Sequence, residues 1–305
     1  MNKFYQTHIK FADPESKKPL TRISIENIKF QIFDAINKLN YVNLEHNDVT
    51  ALWLNQTDNK YFLEVDYIPI FIKEIYLIKQ DNKILISEKR SLFNPFEIMN
   101  YNNINFYHNY EKIVNFKTRY FEKKIKSLYS TRNNNLINAV ELMSSEGSTI
   151  ESLKKNINNV KFVALDIDFK ALKNTNNYTA VCADVNFLPF ENNSIDIFFS
   201  NSFHHIPETA LNAWEGVYSS LKENGNFYGV ETQGLFSKIV LYFFNIFPYT
   251  LIPKSFWEIK NEYKLISSWL SITLNKRFRM SKINFSLKFK KNLFYIFYEF
   301  KKKND

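Results

Sequence analysis

The run ADVNFLPFENNSIDIFFSNSFHHI (residues 183–206) decides how the chain folds. An aspartate, Asp184, closes one apolar stretch. Leu188-Pro189-Phe190 and the polar turn Glu191-Asn192-Asn193 lead into Ile195-Asp196-Ile197-Phe198-Phe199, a segment apolar enough to be a strand buried on both faces. That segment stops at Ser200-Asn201-Ser202 and the pair His204-His205. Polar, hydrogen-bonding residues therefore stand where a buried strand ends.

The same alternation extends outward in both directions. Strands are predicted over Leu136–Met143, Val160–Ile167, Tyr178–Val185, Ser194–Ser202 and Asn226–Glu231. Between them lie helical signals. Thr149–Ile157 places Ile150, Leu153 and Ile157 on one face behind a capping box, Ser148-x-x-Glu151. A short turn of helix is expected near Phe169–Leu172, and after Pro207 the residues Ala210, Leu211, Trp214, Tyr218 and Leu221 form a stripe that stops at Gly225. Apolar strands joined by amphipathic helices imply a parallel sheet covered on both faces. Leu235–Phe247 and Trp257–Leu274 read as further helices, and Ile283–Phe289 with Leu293–Phe300 as a closing antiparallel pair.

In an open parallel sheet, ligands bind beyond the carboxyl ends of the strands, where the strand order reverses. The residues at those ends are Glu141 through Ser148, Asp166, Asp184, and Ser200-Asn201-Ser202 with His204-His205. A nucleoside needs this chemistry: an acid for ribose hydroxyls, an acceptor for an exocyclic amine and close backbone for its polar tail.

On these segments the chain from about 136 to 231 resembles the class I S-adenosylmethionine-dependent methyltransferases, of the type-11 kind. The matching stretches are AVELMSSEGS (139–148), VALDID (163–168), the 183–206 run and AWEGVYSSLKENGNFYGVE (213–231). The resemblance implies an α/β fold with a Rossmann-like sheet, parallel except for an antiparallel terminal hairpin, and S-adenosyl-L-methionine as cofactor. It also implies roles. Glu141 and the turn carrying Met143, Ser145 and Gly147 would approach the methionine part, Asp166 would bind the ribose hydroxyls, Asp184 the adenine amine with Val185 beside it, and Asn201 and Ser202 would line the pocket near the reacting methyl. Where the family has three alternate glycines, this chain keeps only Gly147, with Met143 and Ser145 at the other two positions. Two readings follow: methyl transfer to a small-molecule or lipid-linked acceptor, or a catalytically silent methyltransferase-like binding module.

His204 or His205 is the candidate general base, since an ordinary imidazole titrates near pH 6.5; the competing reading has one packing at the strand end and the other exposed. Cys182 falls inside a strand and reads as a buried apolar residue. Family members that methylate amide or exocyclic nitrogens commonly carry an Asn/Asp-Pro-Pro-aromatic run after the fourth strand. Here the run is Ser200-Asn201-Ser202-Phe203, without proline.

Residues 136–305 are taken as the methyltransferase-like domain, with an apolar lid insert at 235–274. The insert contains Leu241, Tyr242, Phe243, Phe244, Tyr249, Phe256 and Trp257. Either it walls an acceptor pocket, with peripheral membrane contact through 235–257, or it packs on the sheet. Residues 105–135 form a linking helix on the spacing of Tyr110, Ile113, Phe116, Tyr120 and Ile125. Residues 1–104 make a small β-rich or α+β module, with Tyr61–Ile72 as one extended run and a hairpin from Glu74–Ile78 and Lys83–Ser87. Tyr61–Ile72 is similar to the end of a small zinc ribbon that precedes some bacterial methyltransferase domains, without its cysteines, so no metal site is expected.

Composition sets the outer bounds. There are 5 glycines in 305 residues, where average usage would supply about 21. No complete glycine-rich phosphate loop is present. The net charge of +9 accompanies abundant Asn, Lys, Ile, Phe and Tyr, the pattern of AT-rich coding. No basic stripe interleaved with aromatics marks a nucleic-acid reader. A single cysteine and a polar first ten residues suggest a cytoplasmic setting.

Overall fold

The computed structural model describes residues 9–25, 48–80, 83–86, 110–131, 136–175, 178–201, 203, 210–234, 278–286 and 293–302. The predicted helices 235–247 and 257–274 lie outside them. Six strands come first: β1 (Thr21–Ser24), β2 (Val49–Asn55), β3 (Lys60–Val65), β4 (Ile68–Phe71), β5 (Leu77–Gln80) and β6 (Lys83–Ile86). A helix α1 (Tyr110–Thr131) follows, and then β7 (Ile137–Leu142), α2 (Ser148–Lys154), β8 (Val160–Asp166), α3 (Phe169–Lys173) and β9 (Thr179–Ala183). The chain continues with β10 (Ile195–Ser200), α4 (Ala210–Ser220), β11 (Leu221–Gly234), β12 (Phe278–Ser286) and β13 (Leu293–Lys302).

The strands of the second half lie in the order β9-β8-β7-β10-β11-β13-β12. From β9 through β11 every pairing is parallel, while β13 runs antiparallel to both β11 and β12. Chain order reverses at β7. The next strands, β8 and β9, go to one side, and β10 and β11 to the other, so the loops after β7 and β10 part above the sheet.

Each strand's two faces feed a separate core, which is why the sequence shows continuous apolar runs. Ile197 and Phe199 of β10 join Phe121 and Ile125 of α1, with Ile150 and Leu153 of α2, on one face. Phe198 joins Trp214 and Val217 of α4 on the other. The Trp214 ring lies 4.7 Å from Phe203, 4.8 Å from Phe227 and 5.1 Å from Phe300, centroid to centroid. Among the described residues, no helix is long and apolar enough to cross a membrane.

Two local expectations are corrected. Tyr61–Ile72 is two antiparallel strands, because Asp66 and Tyr67 both take positive φ, 49° and 65°, and turn the chain back as a two-residue hairpin. Ser148 is not a cap. It is already helical, and Gly147, in the left-handed conformation with φ 69°, precedes α2 without any side-chain cap. A cap does form at the start of α3, where the Asp168 carboxylate accepts from Lys170 N at 2.9 Å and Ala171 N at 3.2 Å.

The front strands continue the same sheet. Ile70 and Phe71 of β4 pair in parallel with Cys182 and Ala183, covering the β9 edge. Within this part, Glu64 is fully buried and accepts from Arg22 Nε and Nη2 at 2.9 and 2.7 Å, from Thr50 Oγ1 at 3.0 Å and from Trp53 Nε1 at 2.9 Å. Paired this fully, the charge can be tolerated without water. The front residues also grip the segment after Asp184: Ala12 N donates to Pro189 O at 3.1 Å, Lys17 Nζ to Leu188 O at 2.5 Å, and Lys73 lies 3.5 Å from the Phe187 ring centre. Removing residues 1–104 should bare the β9 edge, whose unpaired backbone is a template for further strands. We expect that truncation to aggregate in size-exclusion chromatography where the full chain elutes as a discrete species.

Candidate functional site

Every candidate that the structure describes stands at or just past a strand's carboxyl end. Glu141 is near the end of β7, Met143, Ser145 and Gly147 lie in the turn before α2, Asp166 ends β8, Asp184 and Val185 follow β9, and Asn201 follows β10. Ser202, His204 and His205 lie outside the described residues.

The turn after β7 keeps a glycine-like backbone without the glycines. Met143, Ser145 and Gly147 have φ of 58°, 50° and 69°, all left-handed. For an L residue that conformation costs roughly 1–2 kcal/mol, so two strained residues persist because the surroundings hold them. Met143 offsets part of its strain by packing, half-buried, against the core on the Trp214 face. Ser145 is exposed, and its amide donates to Asp166 Oδ2 at 2.7 Å. At Gly147 a Cβ would fall 2.0 Å from the Tyr178 hydroxyl oxygen, which donates to Glu146 O at 3.0 Å. Glycine is favoured there by φ, and any larger residue would have to displace the Tyr178 ring.

Two hydrogen-bonded contacts knit the loops together. Ser145 N to Asp166 joins the turn after β7 to the end of β8. Asn201 Nδ2 donates to Glu141 Oε1 at 3.0 Å and to Thr149 Oγ1 at 2.7 Å, spanning the divide between β10 and β7. Asp166 also accepts from Asp168 N through Oδ1 at 3.0 Å, so each of its oxygens holds one backbone amide and retains a lone pair for a hydroxyl. Burial raises its pKa, with those amides opposing. Asp184 Oδ1 accepts from Asn186 N at 2.8 Å and Asn186 Nδ2 at 3.2 Å.

Glu141 carries the most electrostatic tension. Burial pushes its carboxyl up to about 8, against hydrogen bonding from Thr149 and Asn201, and the nearby Asp166 pushes the same way. Its Oε2 is buried without a hydrogen-bond partner among the described residues, the Ile150 amide giving only weak help. A buried acceptor left unsatisfied costs on the order of 1–3 kcal/mol, and a ligand donor would recover it. The orphaned acceptor beside a carboxylate with spare lone pairs fits a ligand that carries a cationic tail and a ribose.

Three further residues converge here that the sequence reading did not single out: Thr149, Asn186 and Lys117. Lys117 had a legible signal. It stands four residues after Ile113 and three before Tyr120, on the apolar stripe of α1.

Two outcomes test this geometry. Ser145→Gly should relieve left-handed strain without losing packing, stabilising the fold by about 1 kcal/mol in thermal or denaturant unfolding. Glu141 is protonated in the folded chain up to about pH 8 but ionises near 4.5 when unfolded. The folded state therefore binds more protons between those values, and stability from this group falls as pH rises through that window. Glu141→Gln should remove this slope. The melting-temperature advantage of the variant over wild type should widen from pH 5 to pH 8; a constant gap would refute the assignment.

Residues 139–225 match the model of a family described as a methyltransferase domain. No curated protein matches the chain. Among solved structures, the plantazolicin methyltransferase BpumL, in complex with a triazolic desmethylPZN analogue and SAH, is 12% identical with a TM-score of 0.45, over 61% of this chain and 85% of that one. A SAM dependent methyltransferase from Aquifex aeolicus is 13% identical with a TM-score of 0.40, over 58% and 88%. The family match makes residues 139–225 similar to a methyltransferase domain, and the strand order, parallel core and antiparallel last strand around them form a Rossmann-like α/β sheet.

Proposed function

We propose that the chain transfers a methyl group from S-adenosylmethionine to a small-molecule or lipid-linked acceptor. The observation that carries the reading is the retained left-handed turn at Met143, Ser145 and Gly147, set between the buried carboxyl of Glu141 and the half-buried carboxyl of Asp166 where chain order reverses. When bound, the cofactor supplies a sulfonium methyl open to in-line displacement. Asp166 would accept from the ribose hydroxyls, Asp184 from the adenine amine with Val185 against the ring, and Glu141 from the cationic methionine end. The chain's part in the chemistry is then mainly alignment, with Asn201 fixed at the site's edge by its bonds to Glu141 and Thr149. Where the acceptor must lose a proton, His204 or His205 is the proposed base. The acceptor class rests on the apolar sequence of 235–274, and a cytoplasmic setting with peripheral membrane contact through 235–257 belongs to the same proposal.

The test is a thermal shift with S-adenosylhomocysteine. Ligand at 100 times its dissociation constant should add about 2.7 kcal/mol to native stability. Asp166→Ala should abolish the shift. No shift in wild type at millimolar ligand would overturn the proposal in favour of a silent binding module.

A further inference from the structure

We infer that Lys117, carried into the site by α1, is a positioning residue: it anchors the Asn201 carbonyl and favours a charged Glu141 for the cationic end of the ligand. The inference builds on the reading of this site as the cofactor site.

Lys117 is 8% exposed, and lysine is rarely buried so deeply unless paired. Its Nζ donates to Asn201 O at 3.2 Å. The side chain of that same Asn201 donates to Glu141 Oε1 and Thr149 Oγ1. One neutral residue thus connects the ammonium to the carboxylate, and moving Lys117 would move the residue that orients Glu141.

The charges agree with the geometry. Burial lowers the Lys117 pKa to about 8, while attraction to Glu231 and Glu141 opposes that fall. Attraction is mutual, so the ammonium in turn favours ionised Glu141. The other groups facing Glu141 are Asp166 of β8, which repels it, Thr149 of α2 and Asn201 after β10, which hydrogen-bond to it, and the Tyr178 phenol before β9. Glu231 of β11, which faces Lys117, is itself held by Phe203 N at 3.1 Å and by the Tyr298 hydroxyl at 2.8 Å. α1 therefore brings a positive charge to a group of acidic side chains, and it comes from outside the 139–225 stretch that matches the family model.

Calorimetric titration with S-adenosylhomocysteine at pH 7 and pH 9 tests this on the full chain. Removing the charge should raise the Glu141 pKa, and a loss that is about tenfold in its ionised fraction below the pKa shrinks to about twofold near and above it. Lys117→Gln and Lys117→Met should therefore bind about tenfold more weakly than wild type at pH 7 and only about twofold more weakly at pH 9. Lys117→Arg should recover most of the affinity at both. A loss equal at both pH values, no loss, or an arginine variant as weak as the glutamine one would overturn the role of Lys117 while leaving the cofactor reading intact. If the neutral variants fail to fold, Lys117→Arg decides alone: binding more than about fivefold weaker than wild type at pH 7 overturns the role, and near-wild-type binding supports it. Absence of binding by wild type overturns both.

Discussion

The parallel pairing of β7 with β10 is the constraint on which the site depends. It is where chain order reverses, so the loops that follow these two strands must diverge and leave a crevice between them. Asn201, just after β10, bridges to the other side by donating to Glu141 Oε1 and Thr149 Oγ1. Ser145 and Asp166 close the next gap. The acidic residues are thus held in place by neighbouring loops as well as by their own strands.

The turn after β7 shows how this can survive the loss of glycine. Left-handed backbone is forbidden to side chains only by a modest energy, of about 1–2 kcal/mol. At Met143 the side chain packs against the core, and at Ser145 it reaches solvent while the amide binds Asp166. Only at Gly147 does the Tyr178 ring leave no room for a Cβ. The scarcity of glycine in this chain therefore did not remove the turn's shape. It removed the residues that adopt that shape most cheaply.

The front strands contribute to the same region from the other side. β4 extends the sheet beyond β9, and Ala12, Lys17 and Lys73 hold the segment that follows Asp184. The part of the chain that the resemblance did not cover thereby bears directly on the part that it did. α1 does likewise through Lys117.

Much of the methyltransferase half was legible because its signals are local. Strands buried on both faces need unbroken apolar runs, and the polar residues that end such runs stand out against them, so the strand-end positions of Glu141, Asp166, Asp184 and Asn201 could be read from the sequence. The hairpin at Asp66-Tyr67 was hidden because the second position is a bulky tyrosine where such turns favour glycine, and the capping box failed because Gly147, not Ser148, precedes the helix. Within residues 136–231, sequence alone determined the order of strands and helices and which polar residues end them, since periodicity and turn chemistry act over a few residues. Only the tertiary structure decided that β4 joins β9, that Met143 and Ser145 keep a left-handed turn, and that Lys117 meets Asn201. Those depend on contacts between residues far apart in the chain, and no local pattern encodes which distant partner will absorb a strain or a charge.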